Sequence, residues 1–172
     1  IGNAVVRNRM KRRFRALAEH GADAITLLRS RDLVNADLTL VELDYWFRVD
    51  DSELQVTGSR QGEELVARIT TAGTTTAQRL AAPGKLYPSS VINLYPALHG
   101  LEVGREHRYL VYHGQTQSLA EVTQRIAGYE KSDLFAGNAF KVETAMRGQR
   151  VTSWIGPDGK LRPSASTSAG AR

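Results

Sequence analysis

The stretch from Lys141 to Arg162, KVETAMRGQRVTSWIGPDGKLR, limits the fold more than any other part of the chain. Its side chains alternate with a period of two. Val142, Thr144 and Met146 share one face, while Glu143 and Ala145 share the other. Arg147-Gly148 follows as a two-residue turn, after which Val151, Ser153 and Ile155 alternate with Thr152 and Trp154. A period of two is that of a strand, and a two-residue connection joins only antiparallel neighbours. Gly156-Pro157-Asp158-Gly159 is a second turn, with a proline whose φ is held at about −65° beside residues that tolerate positive φ. The stretch therefore predicts a meander: strand, turn, strand, turn, short strand.

The same rhythm runs through most of the chain. Asn35-Ala36-Asp37, Asp50-Asp51, Gln61-Gly62 and Ala72-Gly73 read as turns. Between them lie Leu38 to Val49, the run around Leu54 and Val56, the run Leu65-Ala67-Ile69, and the Thr-rich run 74–80. Leu38 to Val49 is the longest strand candidate. Leu38 and Leu40 are in one phase, and Leu43, Tyr45, Phe47 and Val49 in the other, so a β-bulge is predicted near Val41-Glu42. After Pro83-Gly84, Pro88-Ser89-Ser90 reads as a helix start with Ser89 or Ser90 as N-cap. Val91, Leu94, Tyr95 and Leu98 follow at helical spacing, and Pro96 makes this helix short or kinked. Strands resume at 108–113 and 119–129. Ten to eleven strand-like segments and one short helix near 89–98 predict an all-β fold. The expected form is a curved antiparallel sheet or incomplete barrel. Residues 1–163 read as a single β-rich domain, and the small, polar run 164–172 as a disordered tail or linker. A helix across the open side of a curved sheet leaves an apolar concavity, a surface for an apolar ligand.

The opening segment, IGNAVVRNRMKRRFRALAEHG, admits two readings. As a helix, Val6, Met10, Phe14 and Leu17 form one stripe. As strand, the even positions Ala4, Val6, Met10, Phe14, Ala16 and Ala18 are apolar, and the odd positions Arg7, Arg9, Lys11, Arg13 and Arg15 are basic. Periodicity leaves segment 4–19 open between strand and helix. Charge is concentrated here. Residues 1 to 31 hold eight Arg or Lys against Glu19 and Asp23, a net of +6, whereas residues 32 to 172 hold fifteen against sixteen, a net of −1.

Chemistry is sparse. The chain has no cysteine, which removes thiol nucleophiles, disulfides and thiolate metal sites. His107 and His113 share a strand face but lie about 20 Å apart at about 3.3 Å per residue, too far for one metal ion. His20 and His99 complete the histidines. No serine sits in a nucleophile elbow. Tyr45-Trp46-Phe47 and Trp154 read as sheet packing, the indole N–H finding a partner. No run approaches the roughly 20 apolar residues of a membrane-spanning helix. The first residue is Ile and no signal peptide is evident at the start, so the chain reads as a fragment or processed form.

Two resemblances bear on function. The run Gly2-Asn3-Ala4-Val5-Val6-Arg7-Asn8-Arg9-Met10-Lys11-Arg12-Arg13 resembles the RNR motif of the protein subunit of bacterial ribonuclease P. That motif is a helix whose cations hold RNA phosphates, so the resemblance implies RNA contact by Arg7, Arg9, Lys11, Arg12, Arg13 and Arg15. The strand-rich remainder of the chain has no counterpart in that family. A second resemblance spans most of the sequence. Its carriers are IGNAVVR, SRDLVNADLTLVELDYWFRVDDSELQVTGSRQGEEL, PGKLYPSSVINLYPALHGLEVGREHRYLVY and VETAMRGQRVTSWIGPDGKLR. Together they are similar to the all-β domain that precedes the catalytic domain of bacterial transglutaminase-like, cysteine-protease-like proteins, and to related periplasmic domains. In that family the Cys-His-Asp unit follows this domain, so the resemblance carries no catalytic residue onto this chain.

The expectation is a non-catalytic accessory or binding domain of a larger secreted or periplasmic transglutaminase-like protein. Its partner would be the downstream catalytic domain or another protein, with no cofactor, metal or catalytic residue of its own. On this reading nucleic acid is bound only non-specifically. Two alternatives stand beside it. One is an RNA-binding protein using segment 7–15, and the other a periplasmic carrier holding a lipid or small ligand in the sheet concavity.

Overall fold

The turn residues between Asn35 and Gly73 separate five antiparallel strands that pair in sequence order. The computed structural model describes residues 27–49, 52–114, 116–132, 137–159 and 161–163. Segment 4–19, the basic run 7–15 and the tail 164–172 lie outside these described residues. The chain divides into two compact units. One comprises Ile1–Ser89 with Tyr112–Leu119, the other Ser90–Val111 with Ala120–Arg172. The fold is all-β: the described residues form two antiparallel sheets with one 3-10 turn and one short helix. Neither sheet closes into a barrel among the described residues. No helix of the described residues is long and apolar enough to cross a membrane.

In the first unit the sheet runs β1 (Leu27–Val34), β2 (Leu40–Val49), β3 (Ser52–Gln61), β4 (Glu64–Thr71) and β5 (Thr74–Ala81). The β1–β2 turn is tied by Asp37, whose carboxylate accepts from the Thr39 hydroxyl at 2.6 Å and the Thr39 N–H at 3.2 Å. The Thr39 hydroxyl, with smaller help from the Thr39 N–H and Lys85, holds the Asp37 carboxyl below its ordinary value. The bulge falls where the phase slip predicts it. Leu33 pairs with Glu42 but Val34 pairs with Leu40, so Val41 is the extra residue. The slip moves both Leu40 and Leu43 into the buried layer with Val34, Val56, Leu65 and Ala67. Each buried Val or Leu contributes about 1.5–3 kcal/mol relative to leaving it in water. Gly58 lies in this layer opposite Ala67, and a Cβ there would sit 3.1 Å from the Val66 carbonyl oxygen. A larger residue at 58 would therefore push β3 away from β4.

The β4–β5 turn places Ala72 at φ 49° and Gly73 at φ 79°, both in the left-handed region. That is the two-residue turn whose twist suits a hairpin, and its first position favours Asn over Ala. Ala72 is exposed. Ala72→Asn is therefore expected to raise stability by about 0.5–1 kcal/mol, read as a higher urea midpoint with unchanged slope.

In the second sheet the order is β11 (Leu161–Pro163), β10 (Gln149–Ile155), β9 (Asn138–Met146), β8 (Ser118–Lys131), β7 (Glu106–His113) and β6 (Leu86–Pro88). The opening meander appears as read: Arg147-Gly148 links β9 to β10, Val142 pairs with Ser153, and Phe140 pairs with Ile155. Within the second unit, Ile126, Val142 and Ile155 form the buried centre, packed against Ala97, Leu101 and Phe140.

Two expectations need correction. The longest strand is β8, at 14 residues, not β2, at 10. Pairing with β9 carries β8 through Glu130 and Lys131, opposite Ala139 and Asn138, where its own alternation has faded. The short helix expected near 89–98 is present, but it starts later than the two serines imply. Ser89–Val91 form a 3-10 turn, and α1 is confined to Tyr95–His99. Proline lacks the N–H that an interior helical turn requires, so Pro96 can stand only in the first turn. The helix therefore starts anew just before it. Ser89 and Ser90 do not cap α1. Leu94 is the N-cap residue, with no side-chain bond.

Candidate functional site

The five-stranded sheet of the first unit has one buried and one outward face, and cross-strand register assigns the outward side chains. One row runs Arg31, Asp44, Thr57, Arg68, and the next runs Leu33, Glu42, Ser59, Val66. Central β3 thus sends short polar side chains outward, with the carboxylates of β2 on one flank and the guanidinium of Arg68 on the other. Long side chains beside short ones make a cleft. Its volume is about 890 Å³, over the floor Thr57, Ser59 and Gln61. A second depression of about 460 Å³ includes Glu53, Gln55 and Thr70 on the same outward face. The outward residues of β3 therefore line both depressions in succession along one strand.

Charge in the larger depression is nearly balanced: Arg31 and Arg68 face Asp32, Glu42 and Asp44, a net of −1. Arg79 and Glu64 are joined at 2.9 Å on the same face. Trp46 lies in the row Arg29, Trp46, Gln55, Thr70, and its indole N–H donates to the Glu53 carboxylate. The bond to Glu53 anchors the indole edge on the outward face.

The second unit has a different character. Gln124, buried on β8, accepts from the Tyr109 hydroxyl at 2.6 Å. Its amide nitrogen donates to the Ile92 carbonyl at 2.9 Å and to Thr144 Oγ1 at 3.0 Å. Tyr95 stacks on Tyr109 at 3.9 Å and on His99 at 4.0 Å, with the His107 ring edge-on at 5.6 Å. His107 Nε2 is bonded to the Gly100 carbonyl at 3.0 Å. In the first unit, His113 Nδ1 meets Thr116 Oγ1 at 3.1 Å. Among the described residues no three His, Cys, Asp or Glu side chains gather as metal ligands. In the second unit, Ala97 of α1 and Leu101 pack against Ile126, Val142 and Ile155.

The RNA-contact residues Arg7, Arg9, Lys11, Arg12, Arg13 and Arg15 lie outside the described residues. The cleft residues were not singled out by sequence reasoning, because hydroxyls, amides and paired charges are what any solvated strand face carries. Register alone brings Asp44, Thr57 and Arg68 side by side. Gln124 was missed as well, although it leaves a signal: it occupies the apolar phase of β8 between Val122 and Ile126.

No protein-family model matches the chain, and neither a curated protein nor a solved structure shows significant similarity to it.

Proposed function

We propose that this chain is a non-catalytic accessory domain, with a binding role, of a larger secreted or periplasmic protein of the transglutaminase-like, cysteine-protease-like class. The observation that carries the reading is the outward cleft of the five-stranded sheet. It offers hydroxyls, amides and balanced charges for holding a ligand; among the described residues no histidine lines it beside Thr57 or Ser59, and the chain has no cysteine to act as nucleophile. Unactivated hydroxyls are weak nucleophiles. The sequence resemblance supports the class, since the corresponding domain stands ahead of a Cys-His-Asp unit.

The rival reading is RNA recognition through segment 7–15, and the two differ in what they expect of RNA. On the accessory-domain reading those six cations attract any polyanion, and binding fades steeply with salt through counterion release. Binding of a structured precursor RNA and of random RNA is expected to be equally weak at about 150 mM salt. The variant Arg7→Ala, Arg9→Ala, Arg13→Ala lowers both alike. A preference for the structured RNA of about tenfold or more, abolished by the triple change, would overturn the reading.

A further inference from the structure

We infer that the outward cleft along β3 binds a linear, uncharged polysaccharide chain. The inference rests on the reading of this chain as a binding domain and assigns its ligand class.

Three features of the cleft, and an aromatic ring beside it, select that chemistry. Its floor of Thr57, Ser59 and Gln61 is continued along the same strand by Glu53 and Gln55 of the second depression. All five point outward at every second position of a ten-residue strand, spaced about 7 Å apart. A linear polymer is met by a line of polar groups of this kind. Its hydrogen-bonding capacity is mixed across its width. In a single row Asp44 accepts, Thr57 both donates and accepts, and Arg68 donates. Sugar hydroxyls are themselves donors and acceptors and can be satisfied from both flanks. The net charge of −1 in the larger depression gives a polyanion no attraction. Outside the lining of both depressions but on the same face, in the row of Gln55, Trp46 presents an apolar ring held at its N–H by Glu53.

The same geometry disfavours other occupants. A peptide gains affinity from a sheet by adding to an open edge. Here β2, β3 and β4 are each hydrogen-bonded to neighbours on both sides, so their backbones have no ladder to offer. An apolar chain would meet Leu33, Val66 and the edge of Leu43 but would leave the polar groups of Asp44, Thr57, Ser59 and Arg68 without partners.

The test uses the full chain and the neutral hexasaccharides cellohexaose, maltohexaose and N-acetylchitohexaose, titrated by calorimetry. A net-neutral peptide of similar length and a polyuridylate serve as comparators. At least one hexasaccharide is expected to bind. Asp44→Ala is expected to weaken it about tenfold or more, as loss of a charge-assisted hydrogen bond implies. Thr57→Trp, which fills the floor, is expected to abolish it. Both variants are checked by thermal melting, and the substitution Ser59→Gln provides a milder block if Thr57→Trp melts early. Absence of binding by all three sugars overturns the inference, as does sugar binding indifferent to the cleft substitutions. Peptide binding without sugar binding also overturns it, while leaving the accessory-domain reading intact.

Discussion

Gln124→Ala is expected to lower stability by about 3–4 kcal/mol. Gln124 lies in the buried layer of the second unit with Val122 and Ile126, and all three of its amide bonds go to protein groups. Truncation removes buried atoms and leaves a cavity, which typically costs about 2 kcal/mol or more. It also strands the Ile92 carbonyl and deprives the Tyr109 hydroxyl of its short acceptor, at about 1–3 kcal/mol for each unsatisfied buried group. One compensation is available, because the Tyr109 hydroxyl also lies 3.5 Å from the Ile92 carbonyl and can turn toward it. Gln124→Met preserves the volume and separates the two contributions. It should cost about 1–2 kcal/mol, from lost hydrogen bonds alone. Urea denaturation of the three proteins reads both values. Because Gln124 ties Ile92, between the 3-10 turn and α1, to β8, loss of protection at amides of α1 should accompany the alanine change.

Tyr112→Phe is expected to act in the opposite direction. Tyr112 is 3% exposed, and its hydroxyl has no hydrogen-bond partner among the described residues. A buried polar group without a partner costs about 1–3 kcal/mol, so its removal should stabilise the protein by about 1–2 kcal/mol at neutral pH. Burial also pushes the phenol up to about 12 from the ordinary value of 10.0. Its folded pKa is thus raised above the unfolded one, and the unfolded chain releases this proton first. The wild type therefore loses stability as pH rises from about 10 to about 12, by about 2 kcal/mol in total. The phenylalanine variant lacks this loss. The difference between the two proteins in urea midpoint should widen across that window and stay constant below it.

Several parts of the fold were legible because their causes are local. Arg147-Gly148 and Ala72-Gly73 mark turns since positive φ is a demand on single residues, and the structure places all four there. The extra residue Val41 was legible as a phase slip. Pro96 correctly forbids a long helix. Other features have non-local causes. The length of β8 depends on its pairing with β9, while its own apolar phase is interrupted by Gln124, and its register shifts between Ile126 and Gly128. The missing side-chain cap of α1 follows from the chain restarting at Leu94, a consequence of the 3-10 turn before it. The cleft was the least legible. Asp44, Thr57 and Arg68 are separated by whole strands in sequence, and only the register of two hairpins brings them into one row.

The proposal that this domain serves a cysteine-dependent catalytic domain is tested most directly by the coding sequence read in frame beyond the codon for Arg172. A following domain that carries Cys, His and Asp is the expected result. An in-frame stop immediately after that codon, or a following domain without cysteine, would contradict it.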